Sequence, residues 1–172
     1  MTCVIAIKKN KKIYMGADGL VCGGSKCLSR KFNKIFRLGP MTIGIAGALA
    51  LGQLVQTKID VTGYENERAD KLLELFIKDI GDLSSLYGLE NAGLSLLVAL
   101  HHQIYYVTHD LVVLRSEIPE IAMGSGEEYA MGSLMSTRKL DMTPEARIKE
   151  AIKVASMFEL SVGALNKIVV SE

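Results

Sequence analysis

The spacing of apolar residues changes from a strand-like to a helical repeat and back, dividing the chain into blocks. Thr2 to Lys9 is rich in β-branched residues and breaks at Asn10, and Lys12 to Ala17 reads as a second strand, so the two predict a hairpin. Gly19 to Ser29 is rich in glycine and small residues and marks a loop; Lys31–Leu38 and Met41–Ala46 then read as strands on either side of Gly39-Pro40. After Gly47 the repeat becomes helical. Ala48, Leu49, Leu51, Leu54, Val55 and Ile59 form a first segment, and Leu72, Leu73, Phe76, Ile77 and Ile80 fall on one 3.6-residue stripe in a second. Leu94–Leu100, Gln103–Thr108 and Leu111–Ser116 return to a strand pattern, joined by His101-His102 and His109-Asp110 as an antiparallel meander. Ser125-Gly126-Glu127-Glu128 has the form of a capping box, opening a helix to about Ser136. Thr143-Pro144 supplies a cap and a first-turn proline ahead of Ile148, Ala151, Ile152 and Ala155, and Lys167–Ser171 is a last strand.

Strands, two helices, strands, two helices and a strand, in that order, predict an α+β fold: a four-layer α-β-β-α sandwich, two antiparallel sheets between helix pairs. At 172 residues the chain is long enough for one well-filled core, and residues 1–172 are expected to be a single domain.

Composition narrows the field without naming a function. Hydrophobic residues make up 49% and charged residues 23%, values of a folded globular chain rather than a disordered or fibrous one. With 20 Lys+Arg against 19 Asp+Glu there is no global field to favour nucleic acid or an anionic membrane. Lys8, Lys9, Lys11 and Lys12 cluster at the tip of the first hairpin, where solvated cations also discourage edge-to-edge pairing. Three cysteines, Cys3, Cys22 and Cys27, are an odd number in a chain that needs no staples, which predicts a reducing cytosol. No second Cys or His pair lies near Cys22 and Cys27, so a zinc site is not expected. The N-terminal stretch lacks the long apolar run of a signal peptide, and no segment is long enough to span a membrane, so a cytoplasmic protein is expected.

The chemistry starts at Thr2. Removal of Met1 would leave a hydroxyl and a free α-amine on one residue, and an α-amine of pKa about 7.7–8.0 is close to ideal as a general base at neutral pH. Thr2 on its own equally begins a strand. Further residues join it: Gly16-Ala17-Asp18-Gly19 at the end of the second strand, Lys34 within Lys31-Phe32-Asn33-Lys34-Ile35-Phe36, Ala46-Gly47 at the end of the fourth, and Gly124-Ser125-Gly126 before the third helix.

With these motifs the chain resembles the proteasome β-subunit family of N-terminal nucleophile hydrolases, in length the HslV-type bacterial peptidase subunit. The resemblance implies Thr2 as nucleophile, Asp18 and Lys34 as its polar partners, the Gly47 amide as an oxyanion donor, and Ser125 as a hydrogen-bonding neighbour. An ammonium beside a hydroxyl stabilises its alkoxide, a carboxylate fixes the ammonium, and an oxyanion-directed amide is worth about 2.7–4 kcal/mol. Val21, Phe32, Phe36 and Ile45 are expected to form an apolar substrate pocket, although core packing accounts for the same residues. The sequence departs from the family pattern in two places. No acidic residue follows Ala46-Gly47 closely, and Glu159-Leu160-Ser161-Val162-Gly163 stands where an Asp and a later Ser before Gly are usual, which casts Glu159 and Ser161 as supporting residues.

The implied activity is that of a threonine-type endopeptidase working through an acyl-enzyme, without metal or cofactor. The implied partners are identical subunits in stacked rings, an ATP-driven unfolding ring and polypeptide substrates. Two alternatives stay open: a catalytically inert structural subunit of such a shell, and an amidohydrolase for small amides, in which Cys3 would be the nucleophile after a two-residue trim.

Overall fold

The computed structural model describes residues 2–171. Its strands form two main antiparallel sheets. In the first, β1 (Val4–Lys9) and β2 (Lys12–Asp18) are a hairpin flanked by β10 (Glu120–Met123) and β11 (Leu165–Ser171), in the order β10-β1-β2-β11. The second is the meander β5 (Ile35–Leu38), β6 (Met41–Gly47), β7 (Leu94–Leu100), β8 (Gln103–Val107) and β9 (Val113–Arg115). The hairpin tip holds Asn10 and Lys11 at φ 52° and 62°, the paired left-handed conformation of a two-residue turn whose twist matches its strands.

The layering follows from side-chain alternation. In β1, Ile5 and Ile7 face the helices α3 (Glu127–Thr137) and α4 (Pro144–Phe158), packing with Ala130, Leu134, Ile148, Ala151, Ile152 and Ala155. Val4 and Ala6 point the other way, into an apolar layer shared with Met15, Ile35, Leu97, Ala99 and Ile104 between the two sheets. A strand covered on both faces reads as a continuous apolar run, as Val4-Ile5-Ala6-Ile7 does. The outer face of the five-stranded sheet carries α1 (Leu49–Lys58) and α2 (Ala69–Leu86), with Leu72, Leu73, Phe76 and Ile80 seated on Ile43, Ile45, Leu96 and Val98. The result is the expected α-β-β-α sandwich.

Local differences from the sequence expectation have physical causes. The segment read as a loop contains a short hairpin, β3 (Val21–Gly23) and β4 (Lys26–Ser29), apart from both main sheets. The strand expected from Lys31 starts at Ile35, because the chain before it turns back to donate the Phe32 amide to the Gly19 carbonyl at 3.0 Å. β10 was not expected: it is four residues long and carries a charge, yet pairs with β1 from Val4↔Met123 to Ile7↔Glu120. That charge is neutralised where it is buried, since Glu120 accepts from Arg147 at 2.9 Å and also pairs with Arg138. α4 begins as expected, with Pro144 in its first turn and the Thr143 hydroxyl accepting from the Ala146 amide at 3.2 Å. α3 does not: its cap residue is Gly126, with no side-chain cap bond, because Ser125 is engaged elsewhere. No helix among the described residues is long and apolar enough to cross a membrane.

Candidate active site

Asp18 closes β2, and its carboxylate draws four separate segments together. Oδ1 accepts from the Cys3 amide at 2.9 Å and from Lys34 Nζ at 2.8 Å, while Oδ2 accepts from the Leu20 amide at 2.9 Å and the Gly163 amide at 3.0 Å. Both charged side chains are wholly shielded from solvent. Lys34, just ahead of β5, therefore places its ammonium on the same oxygen that receives the amide of the residue after Thr2.

Thr2 is itself 1% exposed. Its nitrogen donates to Ser125 Oγ at 3.1 Å, and its carbonyl accepts from the Gly126 amide at 3.2 Å. Gly124 permits that approach: at φ +102° a Cβ there would lie 2.3 Å from the Thr2 carbonyl oxygen. Ser125 Oγ lies 3.0 Å from Ser161 Oγ, and Ser161 in turn donates its hydroxyl to Glu159 Oε1 at 2.6 Å and its amide at 3.0 Å. Ser161 spends its proton on Glu159, and the Ser125 hydroxyl has two acceptors within reach, the Ser161 hydroxyl at 3.0 Å and the Thr2 carbonyl at 3.4 Å. Hydrogen-bonded groups thus connect the Thr2 nitrogen through two hydroxyls to a carboxylate. The side-chain and amide hydrogen bonds from Ser161 hold the Glu159 carboxyl below its ordinary pKa.

Thr2 opens onto a cleft of about 350 Å³, lined by Ala46, Gly47, Ser95, Tyr106, Met123, Gly124, Ser125 and Glu127. Gly47 is at φ +92°, and a Cβ there would meet the Gly93 carbonyl oxygen at 2.0 Å, so the end of β6 tolerates no side chain. Of the residues expected as a substrate pocket, none lines this cleft. Phe36 and Ile45 belong to the apolar core under α1 and α2, with Phe32 packed at its edge, and Val21 begins the β3–β4 hairpin. Alternation along β6 is the reason: Ile45 faces the helices and its neighbour Ala46 the cleft. The fold thus brings Thr2, Asp18, Lys34, Gly47, Ser125, Glu159 and Ser161 together and places the four expected pocket residues elsewhere. The removal of Met1 concerns a residue outside the described ones.

A model of the proteasome subunit family matches residues 1–159. The chain belongs to the proteasome subunit family. Among curated relatives, an ATP-dependent protease subunit HslV of Aquifex aeolicus is 24% identical over 175 residues, covering 99% of this chain and 97% of the relative. That of Petrotoga mobilis is 26% identical over 157 residues, covering 90% and 88%. Among solved structures, HslV from Trypanosoma brucei superposes with a TM-score of 0.78 at 18% identity, covering 99% of both chains. BPH of Thiobacillus denitrificans, in complex with epoxomicin, superposes with a TM-score of 0.80 at 21% identity, covering 99% of this chain and 98% of that one. These two likenesses bear on the fold.

Within this proteasome-family fold, three further residues that the sequence reading passed over surround Thr2. Ser95 and Tyr106 come from the second sheet and Glu127 from the first turn of α3, where its carboxylate accepts from the Gly124 amide at 3.3 Å. Their signal lay in register alone: Ala46↔Ser95 and Leu97↔Tyr106 are cross-strand pairs, invisible until the meander is aligned. Cys3 is fully buried, and burial first, then the Asp18 charge, pushes its thiol up to about 12. With Thr2 in place, the Cys3 thiol is thus kept in the neutral form. Among the described residues no three His, Cys, Asp or Glu side chains gather as a metal site would need.

Proposed function

We propose that this protein is a threonine-type endopeptidase, a single-domain subunit of a self-compartmentalising proteasome-like particle, acting on polypeptides in the cytosol. The observation that carries the reading is the placement of Thr2 between two polar systems: Ser125 on its nitrogen, and the enclosed Asp18–Lys34 pair on the amide that follows it.

Once Met1 is removed, the Thr2 amine accepts the proton of its own hydroxyl as the oxygen attacks the scissile carbonyl carbon. Lys34 supplies positive charge beside the forming alkoxide, and Asp18 keeps that charge in place. The Gly47 amide donates to the tetrahedral oxyanion, and the missing side chain lets a substrate backbone lie close. Collapse breaks the peptide C–N bond, the Thr2 ammonium protonates the departing amine, and an ester on Thr2 remains. A water activated by the same amine then hydrolyses that ester. Ser125, Ser161 and Glu159 orient the amine through the hydrogen-bond relay; Glu159 serves here as the carboxylate terminus.

The similarity to ATP-dependent protease subunits supports a homo-oligomeric ring of identical subunits working with an ATP-driven unfolding ring. An enclosed chamber suits a site whose cleft has few features to discriminate among sequences. The test is the intact mass of the purified chain before and after treatment with epoxomicin, the compound held by the Thiobacillus protein. A chain lacking Met1 that gains one adduct, and does not gain it as Thr2→Ala, is the expected result. A chain lacking Met1 that gains none would overturn the reading in favour of an inert shell subunit.

A further inference from the structure

The β3–β4 hairpin holds two of the three cysteines opposite one another, with Cys22 paired to Cys27 across the antiparallel ladder. Gly23↔Lys26 closes a two-residue turn, Gly24-Ser25, with Gly24 at φ +61°. In such a turn the closing pair exchanges hydrogen bonds, so the next pair out is the non-hydrogen-bonded kind, whose Cα atoms stand about 4.5 Å apart with side chains on one face. That falls within the separation of about 4.4–6.8 Å that a disulfide spans. Both thiols are free; Cys27 is exposed, Cys22 half-buried, and the Cys27 thiol makes only a long contact of 3.7 Å to the Ser29 carbonyl. The hairpin stands outside both sheets, so its two strands can adjust without disturbing a core.

We infer that Cys22 and Cys27 form a reversible dithiol–disulfide site, oxidised by a hydroperoxide. One sulfur attacks the terminal peroxide oxygen, the O–O bond breaks, an alcohol or water leaves, and a sulfenic acid forms. The facing thiol attacks that sulfur, the S–S bond forms and water departs; the two sulfurs together yield the two electrons that the peroxide takes up. The bond would staple the segment connecting Leu20, bonded to Asp18, with the approach to Lys34. Cys3, buried and with its thiol pushed up, is the internal control that stays reduced.

The experiment treats the purified full chain with equimolar hydrogen peroxide and reads intact mass and non-reduced peptide maps. The expected product is lighter by two hydrogen masses, with Cys22 joined to Cys27 and the link reversed by dithiothreitol. Cys22→Ser and Cys27→Ser should each lose the link and acquire oxygen on the remaining thiol. Oxygen added to both cysteines of the wild type without a link, or a link only between separate chains, would overturn the inference. Neither readout depends on peptide cleavage.

Discussion

Lys34 Nζ stands 2.8 Å from Asp18 Oδ1, and neither side chain is reached by solvent. A pair enclosed in this way cannot be halved cheaply, because the surviving charge stays buried with its hydration already lost. Lys34→Met should therefore remove cleavage and also lower the unfolding free energy by about 3–5 kcal/mol, read by chemical denaturation. A loss below about 1 kcal/mol would show that the three backbone amides on Asp18 satisfy its charge unaided.

Gly47 should be equally intolerant, for steric reasons. Gly47→Ala places a Cβ 2.0 Å from the Gly93 carbonyl at φ +92°, so the end of β6 must move away from Leu94. The expected result is loss of peptide cleavage with destabilisation of about 1–3 kcal/mol. Gly63→Ala, where nothing lies within 4 Å, is the matched control and should stay within about 0.5 kcal/mol. An active Gly47→Ala would remove this residue from the site.

The relay from Thr2 predicts a graded series. Ser125→Ala removes the acceptor on the Thr2 nitrogen and should lower kcat by about 100-fold or more with KM little changed, since it acts on proton transfer. Ser161→Ala and Glu159→Gln, one and two bonds further out, should cost progressively less. A Glu159→Gln defect as deep as that of Ser125→Ala would mean that the carboxylate acts directly, not through the hydroxyls.

Acid stability should trace to Glu120. Burial opposes its ionisation, but hydrogen bonds and charge from Arg138 and Arg147 outweigh that and hold its pKa below the ordinary value. A lowered folded-state pKa contributes stability that is present above the unfolded pKa and lost as pH falls through the folded one. Wild type should therefore exceed Glu120→Gln at neutral pH and converge on it in the acid range. Urea midpoints collected against pH test this, and parallel profiles would contradict it.

How much of this could be read in advance depended on distance along the chain. The layers were legible because Val4-Ile5-Ala6-Ile7 and the Leu72-to-Ile80 stripe declare their periods within a few residues. Thr2, Asp18, Lys34 and Gly47 were legible through the family resemblance that their motifs carry; the pattern alone placed Lys34 inside a strand that in fact begins one residue later, at Ile35. The cleft wall was not: which of Ile45 and Ala46 faces Thr2 is a question of strand register, and one position reverses the answer. Ser125 was read partly as a helix cap, the commonest use of a serine ahead of a helix, yet its hydroxyl is committed to residues 123 and 36 positions away. β10 escaped because it is only four residues long, too short to declare a period, and opens on a glutamate whose burial depends on Arg147 and Arg138 from distant helical segments.

The Asp18 carboxylate reaches Gly163 across 145 positions. A growing chain therefore cannot complete this centre until nearly all of it has been made, and a fragment cut short before residue 163 leaves Asp18 Oδ2 without one of its two amide donors. The order of the residues thus times the completion of this carboxylate's shell to the end of synthesis.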